Sequence, residues 1–285
     1  MKNNKQIDIN QYHGYFDIQY SPVSSTCKLD IFTPDDIGPF PIVISIHGGG
    51  FKKHDKRDEC MILDMLPLIK KGYAVIGINY RLSSEASFPQ PVKDIKQAIR
   101  FIKDNAKSYN LNKDKIVVWG GSAGGYFTLM SALITNEKYF DDYYSSSTSS
   151  QIQGCVVWFP PTDFSKMDEQ LKENNLLFDD KNHSLDDSPE SLFLGVPLTS
   201  NSPLIALSNP MYYLQGNLCP MLIQHGRVDK VVPFQQSLEF YENARVLQGN
   251  KIEYDIFDDL DHDDIGFRKE ENIKKIYQFI DEILK

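Results

Sequence analysis

A serine, an aspartate and a histidine that lie far apart in this sequence each stand in a setting suited to acyl-transfer chemistry. Ser122 is the centre of Gly120-Gly121-Ser122-Ala123-Gly124, a GxSxG pentapeptide. The apolar run 115–119 before it reads as a strand and 123–134 after it as a helix. A serine at such a sharp strand-to-helix turn is forced into a strained backbone, and only glycines two residues to either side leave room for the backbones to approach. Its hydroxyl is then presented above the sheet, where a nucleophile must be. The glycine-rich stretch also resembles a phosphate loop, but no Gly-Lys-Ser or Gly-Lys-Thr follows, and a GxGxxG pattern would need glycine at 122 or 123. The attraction of a helix N-terminus for negative charge fits a developing oxyanion better.

A second motif, His47-Gly48-Gly49-Gly50-Phe51, follows the apolar run 42–46. Consecutive glycines let amide N–H groups converge without side-chain obstruction, and pre-positioned donors of this kind lower an acyl-transfer barrier by about 3 to 4 kcal/mol each. Gly49, Gly50 and Ala123 are the expected oxyanion donors. The acid and base should follow the serine in the chain order Ser, Asp or Glu, His. Asp229 lies in His225-Gly226-Arg227-Val228-Asp229, after the apolar run 221–224, and His262 lies after the run 252–257. Both then fall on loops after the carboxyl ends of strands, where open α/β sheets place ligands. His13, His54 and His183 lie outside this order, and His225 reads as a loop-shaping residue. Asp255, Asp258, Asp259 and Asp261 compete with Asp229 for His262, but side chains that share the histidine's loop would have to fold back to reach its far nitrogen. The acidic positions 259, 261, 263 and 270 also mimic a calcium loop. Asp264 stands where that loop needs glycine, and a strand rather than a helix precedes it.

The elements that must position these residues alternate along the chain. Segments 15–20 and 26–32 are rich in β-branched and aromatic residues and read as an antiparallel hairpin. Continuous apolar runs at 42–46, 73–78, 115–119, 155–159, 221–224 and 252–257 read as strands buried on both faces. Between them, Ile95, Ala98, Ile99 and Ile102 recur at helical spacing behind Pro91, and 234–248 and 273–284 read as further helices. The pattern predicts an α/β fold with a mostly parallel sheet and helices on both faces. Two stretches break the rhythm: a Ser-rich segment at 141–150, and 163–209, which has no strand signal and carries Pro189, Pro197 and Pro203. The latter is expected to be a cap-like insertion in a single domain spanning 1–285, with Phe178, Leu192, Phe193 and Leu194 as its apolar residues.

Taken together, HGGGF, the Gly-Gly-Ser-Ala-Gly-Gly elbow, HGRVD and Asp261-His262 resemble the α/β-hydrolase superfamily, in particular the hormone-sensitive-lipase-like and acetyl-xylan or feruloyl esterase-like carboxylesterases. The resemblance runs from about Tyr15 to the last helix. It implies that Ser122 attacks an ester carbonyl, His262 acts as base and then acid, Asp229 orients it, and water releases the acyl-enzyme. It also implies structural roles for Asn79-Tyr80-Arg81-Leu82 and Phe88-Pro89. The expected substrates are short-chain acyl esters, acetyl esters of carbohydrates among them. An amidase or peptidase of the same fold, arylformamidase-like, and a catalytically silent binding module remain open alternatives.

Composition narrows the partners. The chain has 285 residues, 41% of them hydrophobic and 24% charged, with a net charge of -9. That acidic balance repels nucleic-acid phosphates. No run of about 18 apolar residues offers a membrane span, and the polar start lacks the apolar stretch of a signal peptide, so a cytoplasmic enzyme is expected. Cys27, Cys60, Cys155 and Cys219 are scattered and read as buried free thiols. No metal or organic cofactor is expected, and homo-oligomerisation is left open.

Overall fold

The structure, a computed structural model, describes residues 5–134, 138–141, 147–176, 182–248 and 251–285. The run Phe40–Ile46 forms a strand buried at every position but Pro41, as expected of a strand covered on both faces. Its residues alternate between two cores. Ile42, Ile44 and Ile46 face one hydrophobic cluster and Val43 faces the other. This strand is β3 of an eight-stranded sheet whose other members are β1 (Gly14–Gln19), β2 (Lys28–Phe32), β4 (Ala74–Ile78), β5 (Leu111–Gly121), β6 (Gly154–Trp158), β7 (Met221–Gly226) and β8 (Ile252–Phe257). The spatial order is β1-β2-β4-β3-β5-β6-β7-β8. β1, β2 and β4 are joined antiparallel, and every pairing from β4 onward is parallel, with Ile44 opposite Ile76 on one side and Val118 on the other.

Helices cover both faces. α2 (Gln90–Asp104) and α3 (Ala123–Leu133) bury Ile95, Ile99, Ile102 and Leu129 against the first cluster, behind a short α1 (Glu59–Ile62) that packs on the second. α7 (Gln235–Gln248) adds Phe240 to the first face, and α8 (Glu270–Leu284) adds Ile276, Ile280 and Leu284 to the second. Segment 163–209 contributes α4 (Met167–Glu173), α5 (Pro189–Leu194) and α6 (Pro203–Ser208). Pro189 and Pro203 open their helices, where a missing N–H costs nothing, and Ser188 and Ser202 cap them through their side chains.

The structure corrects two expectations. β5 runs on past the apolar residues through Gly120 and Gly121, which still pair with Val157 and Trp158, so the strand delivers its last residue directly to Ser122. The apolar residues of 163–209 divide between core and surface. Phe193 and Leu194 are buried in the main core, Phe193 stacked on Phe51 with ring centroids 4.1 Å apart, while Leu192 points partly to solvent. Phe178 lies outside the described residues. The expected buried thiols hold for Cys27 and Cys155, whereas Cys60 and Cys219 are half-buried.

Residues 52–58, which bend back beneath the HGGG loop, are tied to the sheet by charge. Asp30 on β2 is fully buried and takes Arg57 Nε at 2.6 Å and Nη2 at 3.0 Å. Lys56 Nζ sits 3.6 Å from the same carboxylate and donates to Asp17 at 3.0 Å. Removing one partner of a buried ion pair strands the other charge and costs about 3–5 kcal/mol. Asp30→Ala should therefore lower the unfolding free energy by that amount in a urea titration; a loss under about 1 kcal/mol would show that the network does not hold this segment.

Candidate active site

Ser122 joins β5 to α3 in a backbone conformation of φ 56° and ψ −125°, outside the regions open to most L-residues. Such strain costs about 1–3 kcal/mol and persists where the surroundings over-determine it. Here the Ser122 amide donates to the Trp158 carbonyl on β6 at 3.0 Å, and the Ser122 carbonyl accepts from the Tyr126 amide at 3.0 Å. The flanking glycines make room for the turn. A Cβ on Gly120 would lie 2.3 Å from the Gly124 carbonyl oxygen, and a Cβ on Gly124 only 2.1 Å from that of Ile46.

The serine hydroxyl stands above the carboxyl ends of the strands and donates to His262 Nε2 at 3.0 Å. On the other side of the imidazole, Nδ1–H donates to Asp229 Oδ2 at 2.7 Å. The structure thus brings together three residues that β5, β8 and β7 deliver from separate parts of the chain. Asp229 is buried and richly bonded: its Oδ1 accepts from the amides of Val231 and Val232, both at 2.8 Å. His225 Nε2 lies 3.2 Å from Oδ2 and also donates to the Val232 carbonyl at 2.9 Å, which places a proton on Nε2, and Nδ1 is hydrogen-bonded to Ser237 Oγ at 2.7 Å. Burial alone would raise the Asp229 pKa, but the charge of His262 and the hydrogen bonds from His225 and His262 outweigh it and hold the carboxylate below its ordinary range. For His262 burial works to lower the pKa, and the Asp229 carboxylate, with Asp263 and Asp261 nearby, more than reverses that and raises it above the ordinary 6.5.

The rival carboxylates face elsewhere. Asp258 is largely exposed and pairs with Arg227, and Asp255 serves Gln224 and Lys275. Asp261 is a correction to its reading as a simple competitor. Its Oδ1 accepts from the amides of His262 at 2.7 Å and Lys230 at 2.9 Å, and so it staples the loop of the histidine to the loop of Asp229. The calcium-loop pattern disperses in space: Asp263 pairs with Arg268, Asp264 caps a 3-10 turn, and Glu270 pairs with Lys274. Among the described residues no group of three or more His, Cys, Asp or Glu converges to hold a metal.

A cleft of about 490 Å³ opens over Ser122, with Gly49, Gly50 and Ala123 in its wall. Ala123 is the first residue of α3, so its amide has no intrahelical acceptor. Gly49 and Gly50 have φ 102° and 57°, and a Cβ on Gly49 would strike the His54 ring at 2.2 Å. The loop is braced from below by Tyr80, whose hydroxyl donates to the carbonyls of His47 at 3.0 Å and Gly48 at 3.3 Å. Its ring stacks on His47, which burial holds neutral with a pKa of about 4. The structural roles expected for 79–82 take this form, with Arg81 bonded to Asp94 through two nitrogens. Apolar cleft walls come from Met61, Phe159, Pro161, Val231 and Val232. Phe159 places its ring edge-on to His262 at 4.6 Å. Two histidine–carboxylate pairs also reach the cleft, His54–Asp58 at 2.6 Å and His183–Glu190 at 2.9 Å. Reading by chain order set both histidines aside. The i,i+4 spacing of His54 and Asp58 could have signalled the first pair; nothing local signals the second.

A strained serine, a base and a buried acid in one hydrogen-bonded line, beside a helix N-terminus and a glycine loop, can activate a hydroxyl and receive an oxyanion. The family model BD-FAE matches residues 29–244, which spans β2 through α7 and includes Ser122 and Asp229. The chain belongs to the BD-FAE family. Among curated relatives, this BD-FAE chain is 26% identical over 84% of its length to "Probable carboxylic ester hydrolase LipM" of Mycobacterium tuberculosis, covering 53% of that protein. It is 25% identical, again over 84% of its length, to "Esterase LipQ" of the same organism, covering 54% of it. The chain thus spans about half the length of the curated relatives it matches. Among solved structures, a "Truncated form of carbohydrate esterase from gut microbiota" superposes with a TM-score of 0.80 at 26% identity, over 98% of this chain and 99% of that one. A "Bifunctional GH43-CE" of Bacteroides eggerthii gives 0.81 at 27% identity, over 95% of this chain and 35% of that one. The Thermogutta terrifontis esterase Est2, at 21% identity and a TM-score of 0.72 over 97% of this chain and 96% of that one, shares the fold. The fold is that of the α/β-hydrolases. Among the described residues no helix is long and apolar enough to cross a membrane.

A probe that needs only the activated hydroxyl tests this geometry. An electrophilic organophosphonate should attach once, at Ser122. Its rate should rise with pH through an inflection above 6.5, because His262 must be neutral to accept the proton and its pKa is raised. Asp229→Asn removes the charge that raises it, so the inflection should move to lower pH while the plateau rate falls. Attachment at another residue, or an inflection that moves upward, would contradict the arrangement.

Proposed function

We propose that this BD-FAE chain is a serine carboxylesterase that hydrolyses short-chain acyl esters, with acetyl groups on carbohydrates as its substrates, and that 163–209 is the cap over its cleft. The observation that carries this reading is the unbroken line Asp229–His262–Ser122, with bonds of 2.7 and 3.0 Å. The names of the curated relatives and the carbohydrate esterases among the structural neighbours support the substrate class.

The steps follow from the geometry. Ser122 Oγ attacks the ester carbonyl as its proton passes to His262 Nε2, and Asp229 holds the imidazole in the correct tautomer and stabilises the imidazolium that forms. Negative charge develops on the carbonyl oxygen, which the amides of Gly49, Gly50 and Ala123 receive without reorganising. Collapse of this intermediate expels the alcohol, protonated by His262, and leaves the acyl group on Ser122. Water then enters, gives a proton to His262 and attacks the acyl carbon; the bond to Ser122 Oγ breaks, His262 returns the proton to Oγ, and the acid leaves. No step calls on a metal or an organic cofactor. The cleft accepts the ester between the apolar Phe159 and Met61 and the polar Lys52 and Lys53, a mixture suited to a small acyl group on a hydroxylated alcohol.

Purified protein should hydrolyse two- to four-carbon acyl esters with a kcat/KM at least about tenfold above those of eight carbons or more, and should release acetate from acetylated sugars. A kcat/KM that climbs with chain length to twelve carbons would overturn the short-acyl reading. In the same assay Asp229→Asn should lose about 10³-fold or more in kcat, whereas Asp258→Asn, at a largely exposed position, should lose less than about tenfold. The reverse order would remove Asp229 from the mechanism.

A further inference from the structure

His183 and Glu190 stand apart from the three residues above, yet they reach them through a single peptide group. Both side chains are more than nine-tenths buried. His183 Nε2 lies 2.9 Å from the Val231 carbonyl oxygen and Nδ1 lies 2.9 Å from Glu190 Oε2. A carbonyl oxygen can only accept, so Nε2 carries a proton, and the carboxylate draws a proton to Nδ1. Burial works against a charged imidazole, but the hydrogen bond and charge of Glu190, with the charge of Asp168, hold His183 above the ordinary histidine value. The backbone of His183 is gripped too. Its amide donates to Asp168 Oδ1 at 2.8 Å, and that of Ser184 donates to Asp168 Oδ2 at 2.9 Å. α4, through Asp168, and α5, through Glu190, therefore both fix this one residue.

The Val231 carbonyl belongs to the same peptide unit as the Val232 amide, and that amide donates to Asp229 Oδ1 at 2.8 Å. A continuous chain results: Glu190, His183, the Val231–Val232 peptide, Asp229, His262, Ser122, every hydrogen bond in it 3.0 Å or shorter. A donor on the carbonyl end of a peptide polarises it and makes its N–H a better donor at the other end, so the links strengthen one another. A buried ionic pair is a poor stabiliser compared with apolar packing. Its placement on this carbonyl is explained by what it does to the acid loop.

We propose that His183, held by Glu190 and Asp168, is a positioning residue for Asp229: it fixes the Val231–Val232 peptide and through it the carboxylate that orients His262, so that the cap and the acid loop work as one unit. The proposal rests on the reading of Asp229 and His262 as acid and base.

Two variants separate this role from packing. His183→Phe keeps a planar ring and removes the donor, while His183→Gln keeps a side-chain N–H of similar reach. With 4-nitrophenyl acetate, His183→Phe should lose about tenfold or more in kcat with KM within about threefold of wild type, since small misplacements of a catalytic group are felt in the chemical step. His183→Gln should recover to within about threefold of wild type. The acid limb of kcat/KM should move to lower pH in the Phe variant, because a less firmly held Asp229 raises the His262 pKa less. The Nδ1–H proton resonance of His262, recorded without substrate, should shift or broaden in the Phe variant and persist in the Gln variant. Equal losses in both variants that follow a fall in Tm would mean a packing role, and a loss confined to KM would mean a substrate contact; either overturns the proposal, as does a resonance identical in all three proteins. If the wild type hydrolyses no ester, the functional reading fails, and the resonance alone still decides whether His183 positions Asp229.

Discussion

Ser122 can hold φ near 56° because three backbones meet at the elbow with no side chain between them. The start of α3 lies against the ends of β3 and β5 so closely that a methyl group at Gly124 would overlap the Ile46 carbonyl. This contact aims the first turn of α3 at the space above the sheet, sets the Ala123 amide beside the HGGG loop, and lifts the serine hydroxyl to where β8 delivers His262. The strain of about 1–3 kcal/mol is offset by the large core on both faces of the sheet, in which Trp119 and Trp158 pack edge to face at 5.0 Å beneath the turn.

The second demand is a buried negative charge. An isolated carboxylate in the core would take up a proton; Asp229 keeps its charge because two backbone amides and two imidazoles converge on it. The residues that make this possible come from three sources: the turn after β7, the β8 loop, and, through His183, the segment 163–209. Asp261 links the first two and His183 the third. Asp229 is thus the point where the sheet, the loop of His262 and segment 163–209 are fastened together.

The parts of this arrangement that depend on neighbours in sequence were legible before the fold was known. The elbow could be read because its glycines flank the serine on a strand-to-helix switch, the HGGG loop because it follows an apolar run, and Asp229 and His262 because strand order constrains where acid and base can lie. What depends on tertiary placement was not. His183 and Glu190 are seven residues apart in a stretch without periodicity, and their meaning lies in the Val231 carbonyl, 48 positions along the chain from His183. His225, a loop-shaping residue by its sequence context, shapes that loop by gripping Asp229 itself. Phe193 takes its place by tertiary packing in the same way. An apolar residue in an irregular segment can face a ligand or the core, and the ring of Phe51 waiting beneath the HGGG loop decides for the core.

The chemistry proposed for this site requires that Ser122 carry the acyl group during turnover. Mixing the protein with 4-nitrophenyl acetate, quenching in acid within the first turnovers and digesting for mass spectrometry reads this directly. One added acetyl group is expected on the peptide that contains Ser122, transient in the wild type and absent from Ser122→Ala. An acetyl group trapped on another residue, or ester hydrolysis undiminished in a folded Ser122→Ala protein, would contradict it.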